Sequence, residues 1–141
     1  MTLTFQSIPT EHVDLVWEDL APLLIPALST ASGKFDIEDV RKSVLNEELM
    51  LWAVSDGVEP IAALTTRIVC YPQRRALAMD WLGGTRMKEW LPMVQAELTN
   101  HAKVNNCEHL EAYGRRGWQR WLERFGWNPE YISYRMDLDH G

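Results

Sequence analysis

Trp81-Leu82-Gly83-Gly84-Thr85-Arg86-Met87 and Gly114-Arg115-Arg116-Gly117-Trp118, the second running on to Phe125-Gly126-Trp127, decide how this chain is read. Each is the end of an apolar strand, a glycine turn and the start of a helical pattern, so a strand, turn and helix unit occurs twice in succession. Backbone N–H groups at a helix start lack intrahelical partners and carry the positive end of the helix dipole. Two adjacent starts of this kind therefore suit a phosphate-bearing ligand. Gly83 and Gly84 are expected to let the backbone approach that ligand closely.

Upstream, Leu3 to Ile8 alternates and stops at Pro9, which predicts a short first strand. Thr10 is expected to cap a helix with Val13, Val16, Trp17, Leu20 and Leu24 on one face, broken or kinked at Pro22 and Pro26. Asp36 is placed to cap a second helix through Leu45. Leu49 to Val54 and Ile61 to Cys70 predict a hairpin about Ser55-Asp56-Gly57, and Ala76 to Leu82 a third strand of the meander. From Gly83 the pattern changes to a crossover. A helix from about Thr85 to Lys103 buries Met87, Leu91, Val94, Leu98 and Ala102, and Cys107 to Tyr113 comes next as a strand. Gly117 to Phe125 then reads as a helix and Tyr131 to Leu138 as a last strand. The expected fold is α/β: a mixed sheet, antiparallel meander plus a parallel strand-helix-strand unit, with helices on both faces and one domain over 1–141.

The chain has 141 residues, 46% of them hydrophobic, with seven tryptophans, enough for a real core. The tryptophans are expected in that core, since most fall on buried stripes. A formal charge of −6 speaks against general nucleic-acid binding, which needs a basic face. The four arginines between Arg115 and Arg124 suit a small anionic ligand or an acidic partner. No leader and no apolar run of about 18 residues is present, so a soluble, cytoplasmic protein without membrane association is expected. Cys70 and Cys107 lack metal or redox spacing and are expected as reduced thiols in or near the core. The four histidines are scattered, His101 at helical spacing from Leu98 and Val94, and no metal is expected.

This order of elements resembles the GNAT acyltransferase fold over nearly the whole length. In that family a loop of the form Gln/Arg-x-x-Gly-x-Gly/Ala after the fourth strand holds the coenzyme A pyrophosphate on backbone amides. Gly83-Gly84-Thr85-Arg86-Met87 stands in its place with a different spacing. Phe125-Gly126-Trp127 is similar to the Gly-Phe end of the family's final helix, but Leu122 stands where a general-acid tyrosine is common. The resemblance implies acetyl-CoA as cofactor, held by Leu82, Gly83, Gly84, Thr85, Arg86 and Met87.

Aminolysis of a thioester uses a proton acceptor for the amine and a donor for the thiolate. Asp80 is a candidate base, directly or through water, and Tyr113 a candidate acid. Each also has a plain structural reading, Asp80 on the polar side of a strand and Tyr113 packed with its hydroxyl at the rim. Arg115 and Arg116 suit bidentate pairing with the 3′-phosphate or pyrophosphate, or else flank a turn and bridge to Glu108, Glu111 and Glu123. Two functional classes result. One is an acetyl-CoA-dependent N-acyltransferase acting on a small-molecule or protein amine. The other is a non-catalytic protein with a protein partner, because small chains of this reduced plan look similar to GNAT-like virion-morphogenesis or host-interaction proteins of tailed phages and prophages, which would place it in a virion.

Overall fold

The computed structural model describes residues 2–114 and 116–140. Arg115 therefore lies outside the described residues, as does the side chain of Arg116. Among the described residues five strands form one sheet in the order β1 (Thr4–Ile8), β2 (Met50–Ser55), β3 (Pro60–Cys70), β4 (Arg75–Gly84) and β5 (His109–Ala112). The first three pairings are antiparallel; β4 and β5 are parallel, as a helical crossover requires. The fold class matches the expectation.

Helices cover both faces. On one side α3 (Met87–Val104) packs Trp90, Leu91, Val94 and Leu98 against Leu64, Leu77, Met79 and Leu82. On the other, α1 (Val13–Leu24) and α2 (Ile37–Leu45) pack Val13, Leu20, Leu24, Val40 and Val44 against Leu51 and Ala63. Covered on both faces, the central strand β3 reads as an unbroken buried run from Ile61 to Thr66. Trp90 is 1% exposed and donates its indole N–H to the Thr85 carbonyl at 2.7 Å, so its bulk is buried without an orphan donor.

Local chemistry sets most boundaries. Asp36 caps α2 through a reciprocal box with Asp39, at 2.9 and 3.0 Å. Thr10 does not cap α1. It opens a single 3₁₀ turn behind Pro9, and its hydroxyl reaches Glu47 instead. Pro22 lies inside α1, which ends at Leu24; Pro26 starts a 3₁₀ segment over Ile25–Ala31. The helix expected from Gly117 is shorter than its periodicity suggests, a 3₁₀ turn at Arg116–Trp118 leading into α4 (Gln119–Arg124). Gln95 of α3 fixes the turn after α4, donating to the Phe125 carbonyl and accepting from the Trp127 indole, both at 2.9 Å.

Two further expectations fail. Tyr131 to Leu138 is not a strand: among the described residues the segment pairs with no strand, and Ile132, Tyr134, Met136 and Leu138 are exposed. Its alternation is real, but an alternating segment becomes a strand only where an edge receives it. Cys70 is exposed at the end of β3 and is no core thiol, whereas Cys107 is half-buried against the α3 layer.

One irregularity positions the site. Thr65 pairs with Trp81 and Thr66 with Met79, so Asp80 is an extra residue in β4, a β-bulge. Met79 and Leu82 face α3, while Trp81 packs with the α1 and α2 layer, where it meets Phe35 edge to face at 5.6 Å. Without the bulge, alternation would have sent Trp81 to the other side.

Candidate functional site

The polar residues of β3, β4 and β5 gather on the α1 and α2 side of the sheet. Arg67 of β3 grips the Asp80 carboxylate with two bonds, at 2.5 and 3.2 Å, and the Asp80 side chain is 15% exposed. The bidentate geometry holds both side chains in place, and the Asp80 contact is the main influence raising the Arg67 pKa. Beside this pair, Glu111 accepts from the hydroxyls of Tyr71 and Tyr113 at 2.7 Å each and contacts His109 Nε2 at 2.9 Å. Partial burial works to raise the Glu111 pKa; the bonds from Tyr113, Tyr71 and His109 outweigh it and hold the carboxyl below its ordinary range. Burial and the anionic Glu111 push the Tyr113 phenol well above its ordinary value. Tyr113 therefore keeps its proton and serves as a hydrogen-bond donor.

A cleft of about 730 Å³ lies over this surface and joins the two sequence candidates, since Asp80 and Tyr113 both line it. Phe35, Val40 and Trp81 give it apolar walls, and Tyr131, Ser133 and Arg135 of the C-terminal segment run along it. Arg135 ties that segment down through the Ser32 carbonyl at 2.5 Å.

The second half of the site is a fork. Pairing of β4 with β5 stops at Met79 with Ala112, with one more bond from the Tyr113 amide to the Met79 carbonyl. From Asp80 to Gly84, β4 continues beside β3 alone. Both strands point their carboxyl ends the same way, so the starts of α3 and α4 emerge at one edge of the sheet, as expected of parallel crossovers. They also touch: Lys88 of α3 sits 4.7 Å from the ring centre of Trp121 in α4, which Arg124 also approaches at 5.2 Å.

The turn into α3 departs from its expected reading in one respect. Gly83 and Gly84 do permit close approach, but of the chain to itself. A Cβ on Gly83 would sit 1.9 Å from the Leu23 carbonyl oxygen of α1, and one on Gly84 2.4 Å from that of Ile61 in β3. Gly84 also has φ +143°, a conformation that strains any side chain. The Leu82 and Met87 side chains join the core on the α3 side, and the Thr85 amide bonds the Ile61 carbonyl. Arg86 stands at the N-terminus of α3 with its guanidinium on Glu89, at 2.6 and 3.0 Å, and 3.8 Å from Asp56. An incoming phosphate would share Arg86 with Glu89, whose carboxylate already complements the helix dipole.

Sequence reasoning missed Arg67, Tyr71, His109 and Glu111. A signal was present for two of them: His109, Glu111 and Tyr113 are alternate residues of one strand and must share a face. The bond from Tyr71 spans 40 positions and left no local trace.

No family model matches this chain, and no curated protein matches it either. Solved structures do. A ribosomal-protein-alanine N-acetyltransferase from Brucella melitensis biovar Abortus 2308 is 12% identical and superposes with a TM-score of 0.73 over 98% of this chain and 100% of that one. An aminoglycoside acetyltransferase from an uncultured soil metagenomic sample is 11% identical, with a TM-score of 0.73 over 99% of this chain and 100% of the other. A "predicted acetyltransferase with acetyl-CoA" from Clostridium acetobutylicum is 11% identical, with a TM-score of 0.67 over 99% and 100%. At such identities the likeness concerns the fold, and the fold is that of the GNAT acetyltransferases.

Proposed function

We propose that the chain is an N-acyltransferase that takes its acyl group from acetyl-CoA, binding the donor in the fork between β4 and β5 and the amine acceptor in the adjoining cleft. The observation that carries this reading is the bulge at Asp80. It directly follows the last β4–β5 pair, Met79 with Ala112, where the cleft that Asp80 and Tyr113 line adjoins the part of β4 paired with β3 alone. That edge fits coenzyme A chemically, because an extended chain bearing amides can add to a strand through backbone hydrogen bonds. Backbone amides within Leu82 to Met87, apart from that of Thr85, which the Ile61 carbonyl takes, would hold its pyrophosphate, Gly83 and Gly84 serving the turn itself, with Arg115 and Arg116 as cationic partners.

When bound, the thioester supplies an activated acyl carbon. The chain's own residues do the rest. The Asp80 carboxylate, fixed by Arg67, accepts a hydrogen bond from the amine or from a water that carries its proton. Tyr113, too weak an acid to ionise beside Glu111, would turn its single O–H from Glu111 to the negative charge developing on the departing sulfur. Its task is thus narrower than that of a proton donor.

Titration calorimetry with acetyl-CoA, paired with melting curves in acetyl-CoA and in tripolyphosphate at equal concentration, tests the reading. The expected result is binding, and a larger rise in melting temperature with acetyl-CoA. A stabilisation of about 2.7 kcal/mol corresponds to a ligand at a hundred times its Kd. Equal shifts mean only a general anion site. No heat at millimolar acetyl-CoA defeats the proposal and leaves the non-catalytic class.

A further inference from the structure

The charges along the cleft constrain its acceptor. Asp39, Glu48 and Asp80 line it, and so do Lys34, Arg67 and Arg135, so acids and bases balance. Asp80 is neutralised by Arg67, and Asp39 is engaged with the Asp36 amide. A polyamine or aminoglycoside, carrying several positive charges, needs an excess of carboxylates and meets none among these lining residues. The walls are instead aromatic: Phe35 and Trp81, in edge-to-face contact, line the cleft together with Tyr113 and Tyr131.

The reacting end adds a second constraint. When the acceptor nitrogen attacks the thioester carbonyl, a C–N bond forms and the C–S bond breaks; the nitrogen loses one proton and the sulfur gains one. The nitrogen must arrive neutral. The carboxylates on the forked strands are committed, Asp80 to two bonds from Arg67 and Glu111 to two phenols and His109, so the site suits an acceptor that arrives already neutral. At pH 7 about one peptide α-amine in ten is neutral, against about one lysine side chain in 2,500.

We infer that the acceptor is the α-amino terminus of a peptide, or a peptide-like α-amino amide, whose first side chain is large and apolar or aromatic. The inference rests on the acyl-transfer reading and narrows it. The α-amine meets Asp80 at the fork, and the side chain lies against the face that the Phe35 and Trp81 pair presents to the cleft.

The test measures thiol release from acetyl-CoA by the full chain at pH 7 with four acceptors: Phe-Gly-Gly-amide, Ala-Gly-Gly-amide, Nα-acetyl-lysine amide and spermidine. The phenylalanine peptide is expected to exceed the alanine peptide about tenfold in kcat/KM, and to exceed the lysine amide and spermidine about a hundredfold. Its kcat/KM should rise with pH and level off near the pKa of its own amine, about 8. Phe35→Ala should reduce the phenylalanine preference to about threefold or less. Lysine amide or spermidine working as well as the peptides overturns the inference, and so does an unchanged preference in the Phe35 variant. Acetyl-CoA binding by calorimetry without thiol release by either peptide also overturns it, while the coenzyme reading stands. Absence of acetyl-CoA binding removes both.

Discussion

Glu111 holds the polar surface together, and its protonation sets how that surface behaves in acid. Three neighbours favour its ionised form, so the folded carboxyl titrates below the unfolded one. The stability it contributes is complete above the unfolded value and is lost as the pH falls through the folded value. Glu111→Gln is therefore expected to lower stability at pH 7 by about 1–3 kcal/mol, with the deficit shrinking in acid. Urea unfolding of both proteins at neutral and acid pH reads this directly, and a constant gap would mean that the charge is irrelevant. At the same scale, Gly84→Ala combines a collision with the Ile61 carbonyl and a backbone angle that only glycine accepts freely. A loss of about 3 kcal/mol is expected from overpacking and strain together. A variant of full stability that fails only to bind acetyl-CoA would return this glycine to the ligand.

Among the elements, α4 and the turn behind it pack Trp118, Leu122, Phe125 and Trp127 against the α3 layer and are tied to α3 through Gln95, whose amide satisfies the Phe125 carbonyl and the Trp127 indole. Gln95→Leu keeps the bulk and removes both bonds. It should cost about 1–3 kcal/mol and expose the chain near residues 125–130 to protease, as limited digestion with mass spectrometry would show. Elements closed by their own residues were legible in the sequence, α2 through Asp36 and Asp39 being the clearest. What depended on distant partners was not. A glycine announces close approach without naming the neighbour, so Gly83 and Gly84 pointed to a ligand when they make room for Leu23 and Ile61. Asp80 and Tyr113 could be picked out, but the bulge that joins them is a property of pairing between two strands. The alternation of residues 131–138 was correct as a pattern and wrong as an element.

On the scale of the molecule, the sheet separates two layers: an apolar one under α3, and one under α1 and α2 that opens into the cleft. The C-terminal segment belongs to the second through side chains, Arg135 above all. Ending the chain after Asn128 is expected to change stability by about 1 kcal/mol or less, since it removes mainly exposed side chains. If the cleft receives the acceptor, the same truncation should raise KM for the acceptor while calorimetry finds acetyl-CoA affinity little altered. A collapse of folding would instead make the segment part of the core. Asp80 is one residue more than the ladder needs. With it deleted, Met79, Trp81 and Leu82 would follow one another opposite Thr66, Thr65 and Leu64, and plain alternation would leave Trp81 on the α1 and α2 side and Leu82 under α3. The loss of that single codon would therefore straighten the strand and remove the carboxylate that Arg67 grips, while both layers kept every side chain they now hold.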